Sequence, residues 1–180
     1  MATPNAALAF HVSGQLAKDV TDITIAYPHG GTALGAVGEV QVRRPRSFRI
    51  LIREENNAPY DIVWLGGALI LGCRIRGWDS DAVASLIPGG SAGATGPRID
   101  WPESTIGKVP TPLTNVAFTP HNSGHPTIIL RRVHVIPDPK SDIEMRLAAG
   151  KWLDVRVALV GTMDANNELG EMGQAADLVV

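Results

Sequence analysis

A chain of 180 residues, 44% apolar and 19% charged, is long enough to bury roughly 70% of the surface its unfolded form exposes, and reads as one domain that needs no disulfide or metal staple. Cys73 is the only cysteine, which excludes an internal disulfide and a cysteine-rich metal site and is compatible with a reducing cytoplasm. The net charge of −2 divides into 8 Lys/Arg against 6 Asp/Glu over residues 1–76 and 8 against 12 over residues 77–180, a polarity too mild for a nucleic-acid binder but suited to surfaces that meet their complement in a neighbouring copy.

Nineteen glycines and 13 prolines favour a loop-rich β protein over a helix bundle. Asp22–Ala26 is a short strand candidate, followed by "YPHGGTALGAVG", a Gly-rich loop over 27–38. Strands are expected at Glu39–Val42 and at Phe48–Arg53, with Pro45 marking a bend or an edge position between them. In the second of these, Phe48, Ile50 and Ile52 alternate with Arg49, Leu51 and Arg53. "EENNAPYD" is a turn, and Asp61–Leu65 starts another strand.

In Leu69–Arg76, Leu69, Leu71, Cys73 and Ile75 alternate with Ile70, Gly72, Arg74 and Arg76, the pattern of a half-buried strand. The rhythm then changes. Ala82, Val83, Leu86 and Ile87 recur at helical spacing behind Asp79 or Ser80 as a cap, and Pro88-Gly89-Gly90 ends the helix. At about nine residues this helix is too short to stand alone, so its apolar face has to plug an open end of the sheet structure. A long Gly/Ser/Pro-rich loop follows over 89–112. Leu113–Phe118, Thr127–Ile136 and Lys151–Val160 are strands, "GTMDANNELGEMGQ" is a closing turn or short hairpin, and "AADLVV" is an apolar tail. The fold class is therefore mainly β: a β-sandwich or barrel with one short flanking α-helix and long loops, in a single domain.

No apolar run approaches the ~20 residues of a membrane span, and the first residues lack the basic region of a signal peptide. Catalytic signals are weak throughout. "PHNSGH" places His121 and His125 four apart around Ser123, but Pro120, Gly124 and Pro126 deny the helix that would align the imidazoles on a metal, so a polar hairpin turn is the reading. Ser123 lacks the Gly-x-Ser-x-Gly elbow. "PGGSAGATGP" lacks the lysine of a phosphate loop. "RRPRSFRILIR" gathers Arg43, Arg44, Arg46, Arg49 and Arg53, which read as solvated strand faces or ion pairs, because no cluster of aromatics accompanies them for base stacking. Trp64, Trp78, Trp101 and Trp152 suit core or interface packing. Neither a cofactor nor an active site is signalled.

The order of elements resembles that of the tailed-bacteriophage major tail tube proteins. The pieces carrying the resemblance are "LGAVGEVQV", "LILGCRIRGWDSDAVASLIPG", "PLTNVAFTP" and "KWLDVRVALVGTMDANNELGEMG", which together span about Leu34 to Gly173. The resemblance implies an inner-tube-like fold and a structural virion protein, assembled in the host cytoplasm. Hexameric rings would stack into the tail tube, a conduit for DNA with no catalysis and no cofactor. Its partners would be further copies of itself, a tape-measure protein, tail terminator and baseplate proteins, and DNA passing without sequence-specific binding. A tail terminator, a baseplate hub piece, a small β-rich ligand-binding module, or an enzyme using His121, His125 or His134 are the alternatives.

Size agrees with such a ring. A compact chain of this length has a radius of gyration of about 16 Å, and six spheres about 40 Å across leave a hole about 20 Å in radius, wider than a DNA duplex. On this reading the loops at 28–38 and 89–112 supply ring and stacking contacts through Gly30, Gly31, Leu34, Gly35, Gly89 and Gly90. Arg49, Arg53, Arg74 and Arg76 pair across subunits, and Asp154 or Glu144 faces the lumen, where basic residues would hold DNA by its phosphates. Residues 1–7 and 174–180 would be flexible or assembly arms.

Overall fold

A computed structural model of the chain describes residues 13–52, 59–76, 84–86, 91–92, 99–100, 111–137 and 154–180. It is mainly β, and its centre is a closed six-stranded barrel. In chain order the strands are β1 (Gly14–Lys18), β2 (Thr32–Arg43), β3 (Arg46–Ile52), β4 (Pro59–Gly67), β5 (Leu69–Arg76), the two-residue β6 (Ser91–Ala92) and β7 (Ile99–Asp100), β8 (Leu113–Pro120), β9 (Thr127–Pro137), β10 (Asp154–Thr162) and β11 (Gly170–Gly173). The sheet runs β10-β5-β2-β1-β8-β9, and pairing of β10 with β9 closes it. Every ladder in the barrel is antiparallel. Below the end of β10, β11 takes over the same edge of β9, from Gly173↔Thr127 to Gly170↔Leu130.

Alternation of side chains builds the interior. Leu16, Val37, Leu71, Cys73, Phe118 and Leu159 are among the residues that fill the barrel, each large aliphatic or aromatic one contributing about 1.5–3 kcal/mol by leaving water. The expected strand Leu69–Arg76 is found with the expected in-and-out pattern, and the half-buried pattern of the last long strand is seen in Val157 and Leu159 inside and Arg156 outside. Residues 84–86 are helical, with Ala84 and Leu86 buried and Leu86 inside the barrel core. Lys18 Nζ at the end of β1 donates to Ser85 Oγ at 3.0 Å, so this helical piece sits over the end of the barrel where β1 ends. The remaining residues of the expected helix lie outside the described ones.

Two segments depart from the sequence reading. The strand expected at Asp22–Ala26 is a series of turns, and the Gly-rich loop expected over 27–38 is largely strand, since β2 starts at Thr32. The reason is a second core on the outer face of the barrel. Ala17, Ala117 and Ile129 point outward from β1, β8 and β9, and Val20, Ile23 and Tyr27 of the turn segment pack on them together with Ala175, Leu178 and Val180. Burial on that face decides the path of residues 19–31, whatever their own strand propensity. The strand Gly14–Lys18, which has no prediction in the sequence, lies between β2 and β8 and is covered on both sides.

Between β2 and β5 the chain leaves the barrel. β3 and β4 pair with each other as a separate two-stranded sheet, from Arg46↔Gly67 to Ile52↔Pro59, with register shifts at Ser47/Phe48 and at Leu51/Ile52. Because β2 and β5 are themselves paired from Arg43↔Ile70, the sheet continues their ladder as an arm. Residues 44–45 form the break between β2 and β3, as Pro45 suggested.

Candidate assembly interface

Three surface features stand out. The first is the arm. On β3, Arg49 and Ile50 are both exposed, and on β4 Ile62 is 53% exposed and Val63 40%. Opposite register places Ile50 against Ile62 and Arg49 against Val63. An isolated two-stranded hairpin is marginal in water, and this one carries its isoleucines exposed.

The second feature is the outer face of β2, β5, β10 and β9. A groove of about 290 Å³ crosses it, floored by Gly72 and Ala158, which pair directly in the β5–β10 ladder, with Ile70 and Ile136 as apolar walls. Arg43, Arg74 and Arg156 rim it. Arg74 lies directly opposite Arg156. Glu39 reaches this rim because β2 bulges between Gly38 and Gln41 and Glu39 takes a left-handed φ of 53°. Its carboxylate forms an ion pair with Arg74 Nε at 2.8 Å. Cys73, facing the barrel, is buried, and burial pushes its thiol up to about 12.

The third feature is the β10–β11 turn. Asp164 Oδ1 accepts from the backbone N–H groups of Asn166 (2.8 Å) and Glu168 (2.9 Å), which folds the turn. Arg131, buried on β9, donates from Nη2 to Glu171 Oε1 at 2.7 Å and has Glu168 Oε2 at 3.5 Å from Nε. Met163 and Met172 are exposed beside Glu168. Together with Val42, Leu69 and Leu169 they line a cleft of about 950 Å³ at the root of the arm.

The residues singled out in the sequence fall in different places. Gly30 (φ 72°) and Gly31 lie in the turn segment, and a methyl group at Gly31 would overlap the Lys18 carbonyl. Leu34 belongs to the barrel core at 1% exposure rather than to a surface loop, and Gly35 (φ 108°) pairs with Leu16 inside β2. Arg49 is on the arm. Arg74 has an ion-pair partner within its own chain, Glu39. Arg76 is exposed, with its guanidinium over Gly38. Asp154 starts β10 opposite Arg76. Arg53, Gly89, Gly90 and Glu144 lie outside the described residues. Arg74 and Arg76 thus share one face; Gly30 and Gly31 lie apart from it, on the segment that covers β1, β8 and β9.

His29 was missed by sequence reasoning. It is 4% exposed; its Nδ1–H donates to the Ile25 carbonyl (2.8 Å), and its Nε2 is hydrogen-bonded to Thr119 Oγ1 (2.7 Å). The Tyr27 ring stands edge-on to it at 5.9 Å, and the Tyr27 hydroxyl donates to the Leu16 carbonyl at 2.8 Å. Burial pushes the Tyr27 phenol up from its ordinary value. This is a clip holding the turn segment to the barrel. "PHNSGH" is a tight turn between β8 and β9, closed by Gly124 N–H on Asn122 Oδ1 (2.9 Å) and His125 N–H on the Asn122 carbonyl (3.0 Å). Among the described residues no group of three or more His, Cys, Asp or Glu is arranged to hold a metal.

In comparison with known proteins, no protein-family model matches the chain and no curated protein matches it in sequence.

Proposed function

We propose that this chain is a structural subunit of a bacteriophage tail tube, building stacked hexameric rings through which DNA passes. The observation that carries the reading is the combination of a closed barrel with an arm that the barrel does not cover: Ile50, Ile62 and Val63 stand in solvent on a two-stranded sheet. A barrel already satisfied in its own interior gains nothing from such an arm unless a neighbour covers it. The interior is packed with side chains, so the barrel does not serve as a ligand cup. The resemblance in element order to tail tube proteins supplies the particular assembly, and the open arginine-bearing sheet face offers a second contact of a different kind.

Negative-stain electron microscopy over a concentration series tests it. Rings or tubes with a central hole wide enough for duplex DNA are expected as concentration rises. A monodisperse monomer at every concentration overturns the proposal.

A further inference from the structure

We propose that the groove over Gly72 and Ala158 receives the β10–β11 turn of a second copy of this chain, with Glu168 of one copy neutralising the arginine rim of the other. The proposal rests on the tube-subunit reading and specifies one of its contacts.

The receiving side is built for a carboxylate flanked by apolar bulk. Like charges directly opposite each other in an antiparallel pair are unfavourable, and Arg74 faces Arg156 in this way. Glu39 serves Arg74, whereas Arg156 is exposed and has no carboxylate partner among the described residues. The floor has room: a methyl group at Gly72 would find only the Gln41 carbonyl, at 3.9 Å. The walls, Ile70 and Ile136, are apolar. A polyanion such as a nucleic acid would satisfy the arginines and leave this apolar floor unused.

The same chain carries the complement. Residues 157–180 contain Asp164, Glu168, Glu171 and Asp177 and no lysine or arginine. Asp164 is engaged in folding its own turn and Glu171 in holding Arg131. Glu168 is 53% exposed, with only a long contact to Arg131. Met163 and Met172 beside it are 50% and 60% exposed, and methionine adapts to irregular apolar grooves. Two different patches that fit each other make a heterologous contact, which closes into a ring or continues as a stack.

The test compares the full-length wild type with Arg156→Glu, Glu168→Arg, the double variant and Gly72→Val, using sedimentation velocity and electron microscopy. Each single charge reversal is expected to raise the concentration needed for assembly at least about tenfold, because a desolvated charge pair at an interface is broken. The double variant restores assembly to near the wild-type concentration. Gly72→Val blocks assembly with no change of charge, and an unchanged thermal melt shows that its barrel is intact. Glu168→Gln weakens assembly less than Glu168→Arg. Wild-type assembly together with unaffected single variants, or a double variant no better than the worse single, overturns the contact while leaving the tube reading standing. A wild type that never assembles overturns both.

Discussion

Glu39 and Arg74 meet at 2.8 Å across the β2–β5 ladder, and they meet only because β2 bulges there and places Glu39 at a φ of 53°. A non-glycine residue in the left-handed region costs of order 1 kcal/mol or more, and the ion pair it makes is partly exposed, which screens its worth. Local strain and ion pair therefore nearly cancel. Glu39→Gly is expected to change global stability by less than about 1 kcal/mol, since glycine relieves the strain as the charge is lost. Glu39→Ala, which loses the charge and keeps the strain, is expected to be the less stable of the two; urea denaturation of both variants measures the difference.

His29 is expected to be a stability residue. Its two ring nitrogens are both bonded and its side chain is buried. Removing it leaves the Ile25 carbonyl and the Thr119 hydroxyl without a partner and opens a cavity. His29→Ala should lose about 2–3 kcal/mol in equilibrium unfolding, with amide exchange accelerated first in residues 20–31. Thr119→Val, which removes only one of the two bonds, should lose about half as much.

The glycines divide into two sets with opposite expectations. Gly31 faces the Lys18 carbonyl and Gly14 the Thr119 carbonyl, each closer than a methyl group permits. Alanine at either forces backbone apart, at about 1–3 kcal/mol by analogy with overpacked sites. Gly72, with open space above it, should accept alanine at no loss. Melting temperatures of the three alanine variants separate the sets.

Cys73 sets a sign at high pH. Its thiol is pushed up to about 12 by burial from an unperturbed 9.0. Above pH 9 the unfolded chain releases this proton while the folded chain retains it, so stability falls as pH rises through the window from about 9 to about 12. Tyr27, also raised, acts in the same direction. Cys73→Val is expected to flatten the decline in unfolding free energy over that window. The native thiol should also resist an alkylating reagent until denaturant is added.

Arg131 holds the start of β11 in place through Glu171. Arg131→Met retains bulk and removes the charge, leaving two carboxylates near each other. It is expected to cost about 1–2 kcal/mol, discounted for the exposure of both glutamates. Faster hydrogen exchange in Gly170–Gly173 than in the barrel strands would locate the effect.

The local rhythm of the strands is readable in the order of the amino acids alone. Alternation in Leu69–Arg76 and Lys151–Val160 reports that one face of each strand is dry, and that holds for β5 and for the described residues of β10 because side chains on a strand alternate whatever the partner strand is. Thr127–Ile136 is found as the strand expected, but its first five residues are buried on both faces, between the barrel core and the second core. Pro45 and the "PHNSGH" turn were legible for a similar reason: proline and the Asn122 side chain act on their own neighbours. Alternation is silent about which strand pairs with which. Closure through β9 and β10, and the insertion of Gly14–Lys18 between β2 and β8, follow from contacts between distant segments, and "GQLAK" is too short and too poor in β-branched residues to announce itself. The second core overrode the local signal of residues 22–38 by burying Val20, Ile23 and Tyr27 against the outside of the barrel. The proposed interface has the same origin. Arg74 was singled out in the sequence and Gly72 lies beside it on the same strand, but Glu39 and Arg156 lie far from both in the chain, and only the ladders of β2, β5 and β10 bring the four onto one face.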